Sequence, residues 1–164
     1  MSVRIDDTFI QLINDHIGVA HKICRAYFPD VHDQNDMLQE MMYQLWRSYP
    51  RFDNRSKFST WMYSVCLNTA LTYQRKRVIE KTVSLSMIDH EIPEQIPVNK
   101  DDMNALLFRA IATLNAVNKA VILLYLEDLS YEEIAHITGL TKSNVSVRLV
   151  RIKKELELLL KEKN

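Results

Sequence analysis

Glycine and proline are scarce: 164 residues contain two glycines and four prolines. That scarcity, with abundant Leu, Ile, Met, Glu and Lys, favours an almost wholly helical protein. It also leaves no glycine-rich loop to cradle a nucleotide phosphate. There is no nucleophile beside a base and no pair of catalytic carboxylates, so an enzyme is not expected. Cysteine is limited to Cys24 and Cys66, each isolated in an apolar helical pattern, and both read as buried, reduced thiols. His16, His21 and Cys24 do not close a metal site, because no third and fourth ligand follows at a workable spacing. Neither a metal nor a cofactor is expected. No stretch reaches the roughly 18 apolar residues of a membrane span. The start MSVRIDDTF lacks a signal peptide's apolar segment, so the chain is expected to remain in the cytoplasm.

Net charge is also absent, with 21 basic residues matched by 21 acidic ones, but the charges are segregated. Residues 141–164 carry seven bases and three acids, and residues 55–81 carry six bases and one acid. Asp30, Asp33, Asp36 and Glu40 form a run with no Lys or Arg, and Asp89, Glu91, Glu94, Asp101 and Asp102 cluster farther along. Two basic and two acidic stretches imply two kinds of partner, unless they are only solvated faces.

What is present is most informative between Ser130 and Lys154, SYEEIAHITGLTKSNVSVRLVRIKK. Ser130 and Glu133 have the spacing of a capping box, so a helix should begin there. Ile134, Ala135 and Ile137 supply its inner face, and Gly139 stands where a sharp turn needs a residue tolerant of positive φ. Thr141 can cap a second helix, on which Val145, Leu149, Ile152 and Leu156 form one apolar stripe. Lys142, Ser143, Asn144, Ser146, Arg148 and Arg151 are left largely outward. This is the pattern of a helix-turn-helix, whose second helix suits base edges and phosphates in the major groove. A plain helical hairpin with a basic face is the alternative.

The preceding chain reads as two groups of helices. Phe9, Leu12, Ile13, His16, Ile17, Ala20, Ile23 and Tyr27 recur at helical spacing up to Pro29. Asn35 is a candidate cap for a second helix with Leu38, Met41, Met42, Leu45 and Tyr49 inward, stopped by Pro50. After the loop RFDNRS, Ser56 is a candidate cap for a third, carrying Phe58, Trp61, Met62, Val65, Leu67, Ala70 and Leu71, with a polar end at Arg75 to Arg77. Residues 79–100 lose the periodicity and contain Pro93 and Pro97, as a linker would. Met103, Leu106, Leu107, Ala110, Ile111 and Leu114 make a further helix, and Ala120, Val121, Leu124 and Tyr125 another. The expected fold is all-α, two small helical domains joined by a linker: 1–78, then 79–100, then 101–164.

Three segments in this order resemble the extracytoplasmic-function (ECF) sigma factors of bacterial RNA polymerase. DMLQEMMYQLWRSY resembles the family's polymerase-binding segment. FSTWMYSVCLNTALTYQRKR resembles its promoter-melting segment, and LEDLSYEEIAHITGLTKSNVSVRLVRIKKEL its terminal promoter-reading domain. The resemblance implies that Asp36, Gln39 and Glu40 grip the β′ coiled coil of core RNA polymerase, whose β subunit is a second contact. It implies that the loop Phe52, Asp53, Asn54, Arg55 and Ser56 receives a base flipped from the non-template strand. Asn68 would contact the minus-ten element, and Arg75, Lys76 and Arg77 would hold phosphates of the opened or upstream DNA. Thr141, Lys142, Ser143, Asn144, Ser146, Val147, Arg148 and Arg151 would read the minus-thirty-five element of promoter DNA. An anti-sigma factor is a further implied partner. Trp46 and Trp61 fit the apolar stripes better than a base-stacking role. The chain departs from the family at Thr72, where many relatives carry aspartate, and at Ser146 and Val147, where they carry lysine and serine. Val147 is open to contact with a thymine methyl or to no role. A stand-alone helix-turn-helix regulator would account for the C-terminal half but not for the acidic helix and the melting-type segment.

Overall fold

The computed structural model describes residues 6–83 and 102–162. Among these every regular element is helical: α1 (Asp7–Tyr27), α2 (Val31–Ser48), a 3₁₀ turn (Tyr49–Arg51), α3 (Phe58–Val83), α4 (Met103–Ala112), α5 (Ala116–Leu126), α6 (Tyr131–Thr138) and α7 (Lys142–Lys161). The chain divides into two compact units, the first built on α1 as far as Cys24 with α2 and α3, the second on α4 to α7 together with Arg25–Asp30.

In the first unit α2 packs along α3, and Phe9, Ile13, Ala20, Ile23, Met37, Met41, Leu45, Phe58, Met62, Leu67 and Ala70 are buried. Two predicted caps are displaced. Asn35 lies inside α2, which begins at Val31 just after Pro29 and Asp30, with Asp33 in the first turn where the helix dipole favours a carboxylate. The inner stripe of α2 is Met37, Met41 and Leu45; Leu38 and Met42 sit at its edge, half-buried. Ser56 lies outside α3, whose first turn closes with the Trp61 N–H donating to the Lys57 carbonyl at 3.1 Å. Packing sets this start: Phe58 is buried and its ring lies 5.4 Å from Trp61, 5.8 Å from Phe52 and 5.4 Å from His16. At the other end α3 continues past Arg77 to Val83, into residues expected as linker, since VIEKTV contains neither glycine nor proline to stop it. The rest of that expected linker lies outside the described residues.

The same core holds both thiols. Cys24 donates to the Met41 sulfur at 3.7 Å, and burial pushes its pKa up to about 11. Burial, with the neighbouring Cys24 adding to it, pushes Cys66 up to about 12. Both are inert thiols packed as small hydrophobes. His16 directs Nδ1 to the Leu12 carbonyl at 2.9 Å, while His21 is exposed, so the pair faces different surroundings.

The second unit wraps α4, α5 and α6 around α7, burying Leu106, Ala110, Ile111, Leu114, Val121, Leu124, Ile134, Val145, Leu149 and Ile152. All four of its helices start on a side-chain cap. Asp102 accepts from the N–H groups of Asn104 and Ala105, Asn115 from Asn118, Ser130 from Glu133, and Thr141 from Asn144. Met103, expected inward, is exposed: it is the first residue after the Asp102 cap, and the stripe of α4 begins a turn later at Leu106. No described helix is long and apolar enough to cross a membrane.

Candidate nucleic-acid and polymerase interface

In the first unit, α2 and α3 leave between them an open groove of about 750 Å³. One wall is Asp36, Met37, Glu40, Gln44 and Ser48, successive positions on one face of α2. The facing wall is Val65, Asn68, Thr69, Thr72, Tyr73 and Lys76 of α3. Two carboxylates, Asp36 and Glu40, thus line the same groove as the Lys76 ammonium. The groove gathers Asp36 and Glu40, expected to meet protein, with Asn68 and Lys76, expected to meet DNA. Gln39 is exposed but does not line it. Glu40 accepts from the Gln44 amide at 2.9 Å, which orients the carboxylate along the helix. Gln44, Thr69 and Tyr73 have no signal in the sequence as groove residues, because only the pairing of α2 with α3 brings them there.

The loop Phe52 to Ser56 is held at its base and exposed at its tip. Phe52 is half-buried, 5.1 Å from Trp61 and 6.4 Å from Tyr49, and it anchors the loop in the aromatic cluster. Trp61 is thus a core-edge residue, as its place in the stripe predicts. Trp46 is half-buried beside Tyr43, with a buried Nε1 that finds no acceptor. Beyond Phe52 the chain turns through Asn54 at φ 60°, a left-handed conformation that asparagine tolerates. Asp53 accepts from the Arg55 backbone N–H at 3.2 Å and pairs with its guanidinium at 2.9 Å. The loop presents a formed, solvent-facing tip rather than a collapsed one.

Of the basic cluster Arg75 to Arg77 on α3, Arg75 and Lys76 are exposed, while Arg77 donates to Asp33 of α2 at 3.1 Å. Exposed pairs of this kind contribute on the order of 0–1 kcal/mol.

In the second unit the local geometry follows the sequence closely. The Ser130 N–H donates to Glu133 Oε2 at 2.8 Å and the Glu133 N–H to Ser130 Oγ at 3.2 Å, a complete capping box. Gly139 takes φ 75° and its N–H donates to the Ala135 carbonyl at 2.9 Å, closing α6 and turning the chain. The Asn144 N–H donates to Thr141 Oγ1 at 3.1 Å and starts α7. Val145, Leu149, Ile152 and Leu156 are all buried, which rotates Lys142, Ser143, Asn144, Val147 and Arg151 into solvent; Ser146 and Arg148 are half-exposed. Lys142 pairs with Glu132 of α6, and this contact holds the Glu132 carboxyl below its ordinary range. Arg148 donates from Nε to Asn144 Oδ1 and from Nη1 to Asn118 Oδ1, both at 2.9 Å. Lys153 donates to the Tyr125 hydroxyl at 2.9 Å, which raises its pKa.

A groove-bearing helical bundle and a separate helix-turn-helix unit match the two-part layout of the sigma-70 class. Residues 12–78 match the Sigma-70 region 2 family model and residues 105–156 the Sigma-70, region 4 model. Among relatives, the chain is 30% identical to the ECF RNA polymerase sigma-E factor of Haemophilus influenzae over 76% of this chain and 73% of that protein. It is 28% identical to the RNA polymerase sigma factor SigV of Bacillus subtilis, covering 92% and 90%. With the ECF RNA polymerase sigma factor SigW of the same organism it shares 23% identity, covering 95% and 90%. The fold matches the solved structure of RpoE in complex with the anti-sigma factor NepR from Bartonella quintana with a TM-score of 0.78, at 20% identity over 95% of this chain and 98% of that one. It matches CnrH in complex with the cytosolic domain of CnrY with a TM-score of 0.63, at 20% identity over 95% and 89%. The chain belongs to the ECF family of RNA polymerase sigma factors. It is accordingly a transcription initiation factor and not an enzyme, and a region 2 match beside the helix-turn-helix leaves the stand-alone regulator without support.

Proposed function

We propose that the two units divide promoter use between them, residues 1–78 engaging core polymerase and the minus-ten element and residues 101–164 the minus-thirty-five element, with 79–100 as the linker. Asp36 and Glu40 on the α2 wall of the groove, with the exposed Gln39 beside them, dock a basic helix, the β′ coiled coil. Asn68 on the opposite wall reaches a base edge, and an amide can both donate to and accept from one. The loop from Phe52 to Ser56 takes up an unstacked base, which offsets the few kcal/mol that flipping costs in typical cases. Arg75, Lys76 and Arg77 neutralise phosphates, and α7 enters the major groove. The opening step needs no nucleotide hydrolysis, because captured bases hold the separated strands. A cytoplasmic location and an anti-sigma partner belong to the same reading; the solved RpoE structure contains the anti-sigma factor NepR, and CnrH is seen with the cytosolic domain of CnrY.

The observation that carries this reading is the groove itself: its α2 wall is acidic and its α3 wall carries an amide, hydroxyls and a lysine. Two kinds of partner can therefore use facing walls of one cleft. The test is to compare Asp36→Lys with Asn68→Ala in an assay that separates docking from opening. Asp36→Lys should fold normally yet fail to comigrate with core polymerase on a sizing column. Asn68→Ala should comigrate normally and yield about tenfold fewer open complexes by permanganate footprinting, the size of one lost base contact. Normal comigration of Asp36→Lys would defeat the assignment.

A further inference from the structure

The geometry points to Asn118, on α5 and away from the recognition helix, as a positioning residue that sets which base edge Asn144 can read. The inference rests on the proposal that α7 contacts the upstream promoter element. It turns on one chain of hydrogen bonds. Asn115 Oδ1 accepts from the Asn118 N–H at 2.9 Å and fixes the start of α5. Asn118 Oδ1 accepts from Arg148 Nη1 at 2.9 Å, and Asn144 Oδ1 accepts from Arg148 Nε at 2.9 Å. The Asn144 backbone is itself held by Thr141 at 3.1 Å.

An arginine guanidinium carries donors only. Both asparagines must therefore turn their oxygens toward Arg148, and for Asn144 this decides the orientation of an otherwise ambiguous amide. Its Nδ2–H₂ group is the part left to face outward. Adenine is read by an amide that donates to N7 while accepting from N6, which needs the oxygen and the nitrogen side by side at the base. With its oxygen turned to Arg148 and one lone pair used there, Asn144 meets a base chiefly through its donors, and the edge that best receives them is guanine, with acceptors at both N7 and O6. Cytosine, which presents a donor at N4, is disfavoured. Asn118 makes this stable. The contact between Asn144 and Arg148 is a same-helix pair four residues apart, and such pairs are weak alone. The second anchor on α5 holds the half-exposed guanidinium in place and leaves its remaining donors for phosphate or base.

The test is transcription by core polymerase and the full chain from templates with a randomised upstream element, with base preferences read by sequencing. Wild type should prefer guanine at one position. Asn118→Leu removes the acceptor and should flatten that preference about fivefold, part of the discrimination one base contact provides, while other positions keep theirs. Arg148→Lys keeps the charge but loses the fork, and should flatten the same position. Asn118→Asp keeps an acceptor and should retain the preference. Asn144→Asp replaces the outward donors by an acceptor and should move the preference at that position to cytosine. Thermal melts guard against misfolding, and Arg148→Lys carries the test if Asn118→Leu melts early. Unchanged preferences in Asn118→Leu and Arg148→Lys, with Asn144→Asp still switching its position, would overturn the role of Asn118 and leave the reading of α7 standing. Unchanged preferences in Asn144→Asp and Arg151→Glu alike would remove that reading and the proposal with it.

Discussion

The two units solve the same problem, holding short helices in register, by different means. The second starts every helix on a side-chain oxygen and ends α6 on a left-handed glycine. The first relies on rings: Phe9, Tyr49, Phe52, Phe58 and Trp61 pack with centroids 4.6 to 6.4 Å apart and set where the 3₁₀ turn, the loop and α3 begin. Caps act between residues two or three apart in sequence, whereas the ring cluster reaches across the fold, joining Phe9 of α1 to Tyr49 beyond α2. A unit built on caps declares its boundaries locally, and one built on rings declares them only once folded.

Substitutions should separate the two strategies. The largest effect is expected for Phe58→Ala, which removes a buried ring at the centre of the cluster and should cost about 3 kcal/mol. Native-state hydrogen exchange should show the loss confined to α1, α2 and α3, and a loss spread equally over α4 to α7 would break the contrast. Next comes alkaline pH. Both buried thiols lie in the first unit, and their folded pKa values, about 11 and 12, exceed the ordinary 9.0. A raised folded pKa means that their contribution is whole below about pH 9 and is lost as pH rises through the folded values. The first unit should therefore weaken between these limits before any thiol-dependent change reaches the second, and Cys66→Val should delay that weakening in melts followed across the range.

Loss of one cap should matter less. Ser130→Ala or Thr141→Ala should each cost about 1 kcal/mol, and Gly139→Ala about 1 kcal/mol because a Cβ is strained at positive φ; urea denaturation followed by exchange in α6 and α7 would measure all three. The smallest effect is expected for Asp33→Asn. Its pair with Arg77 is partly exposed, so stability should change by less than about 1 kcal/mol. DNA affinity at low salt should rise slightly as Arg77 is released, which a salt titration of binding can check.

The same contrast explains what could be read without coordinates. Ser130, Glu133, Gly139 and Thr141 each act on a neighbour within four residues, and the Val145 to Leu156 stripe is a property of one helix. All of them lie where the spacing predicts. Asn35 and Ser56 look equally good as caps and are not, because Pro29 and the burial of Phe58 place the starts of α2 and α3 elsewhere. The inner stripe of α2 takes Met37 where Leu38 is expected and leaves Met42 at its edge, since these neighbours are all apolar and only packing chooses between them.

The sequence by itself determined the all-α class, the segregation of charge, the helix-turn-helix and the family, because each depends on composition or on contacts within a turn or two of helix. Only the tertiary structure decided that Asp36, Glu40, Asn68 and Lys76 share a groove, that Phe52 anchors its loop while Asp53 to Ser56 project, and that Arg148 is tethered to Asn118. Those placements join side chains 30 residues apart at α7 and α5, and still others between α2 and α3. Contacts at such separations exist only after the helices have paired, and no spacing along one helix encodes which face its neighbour will cover.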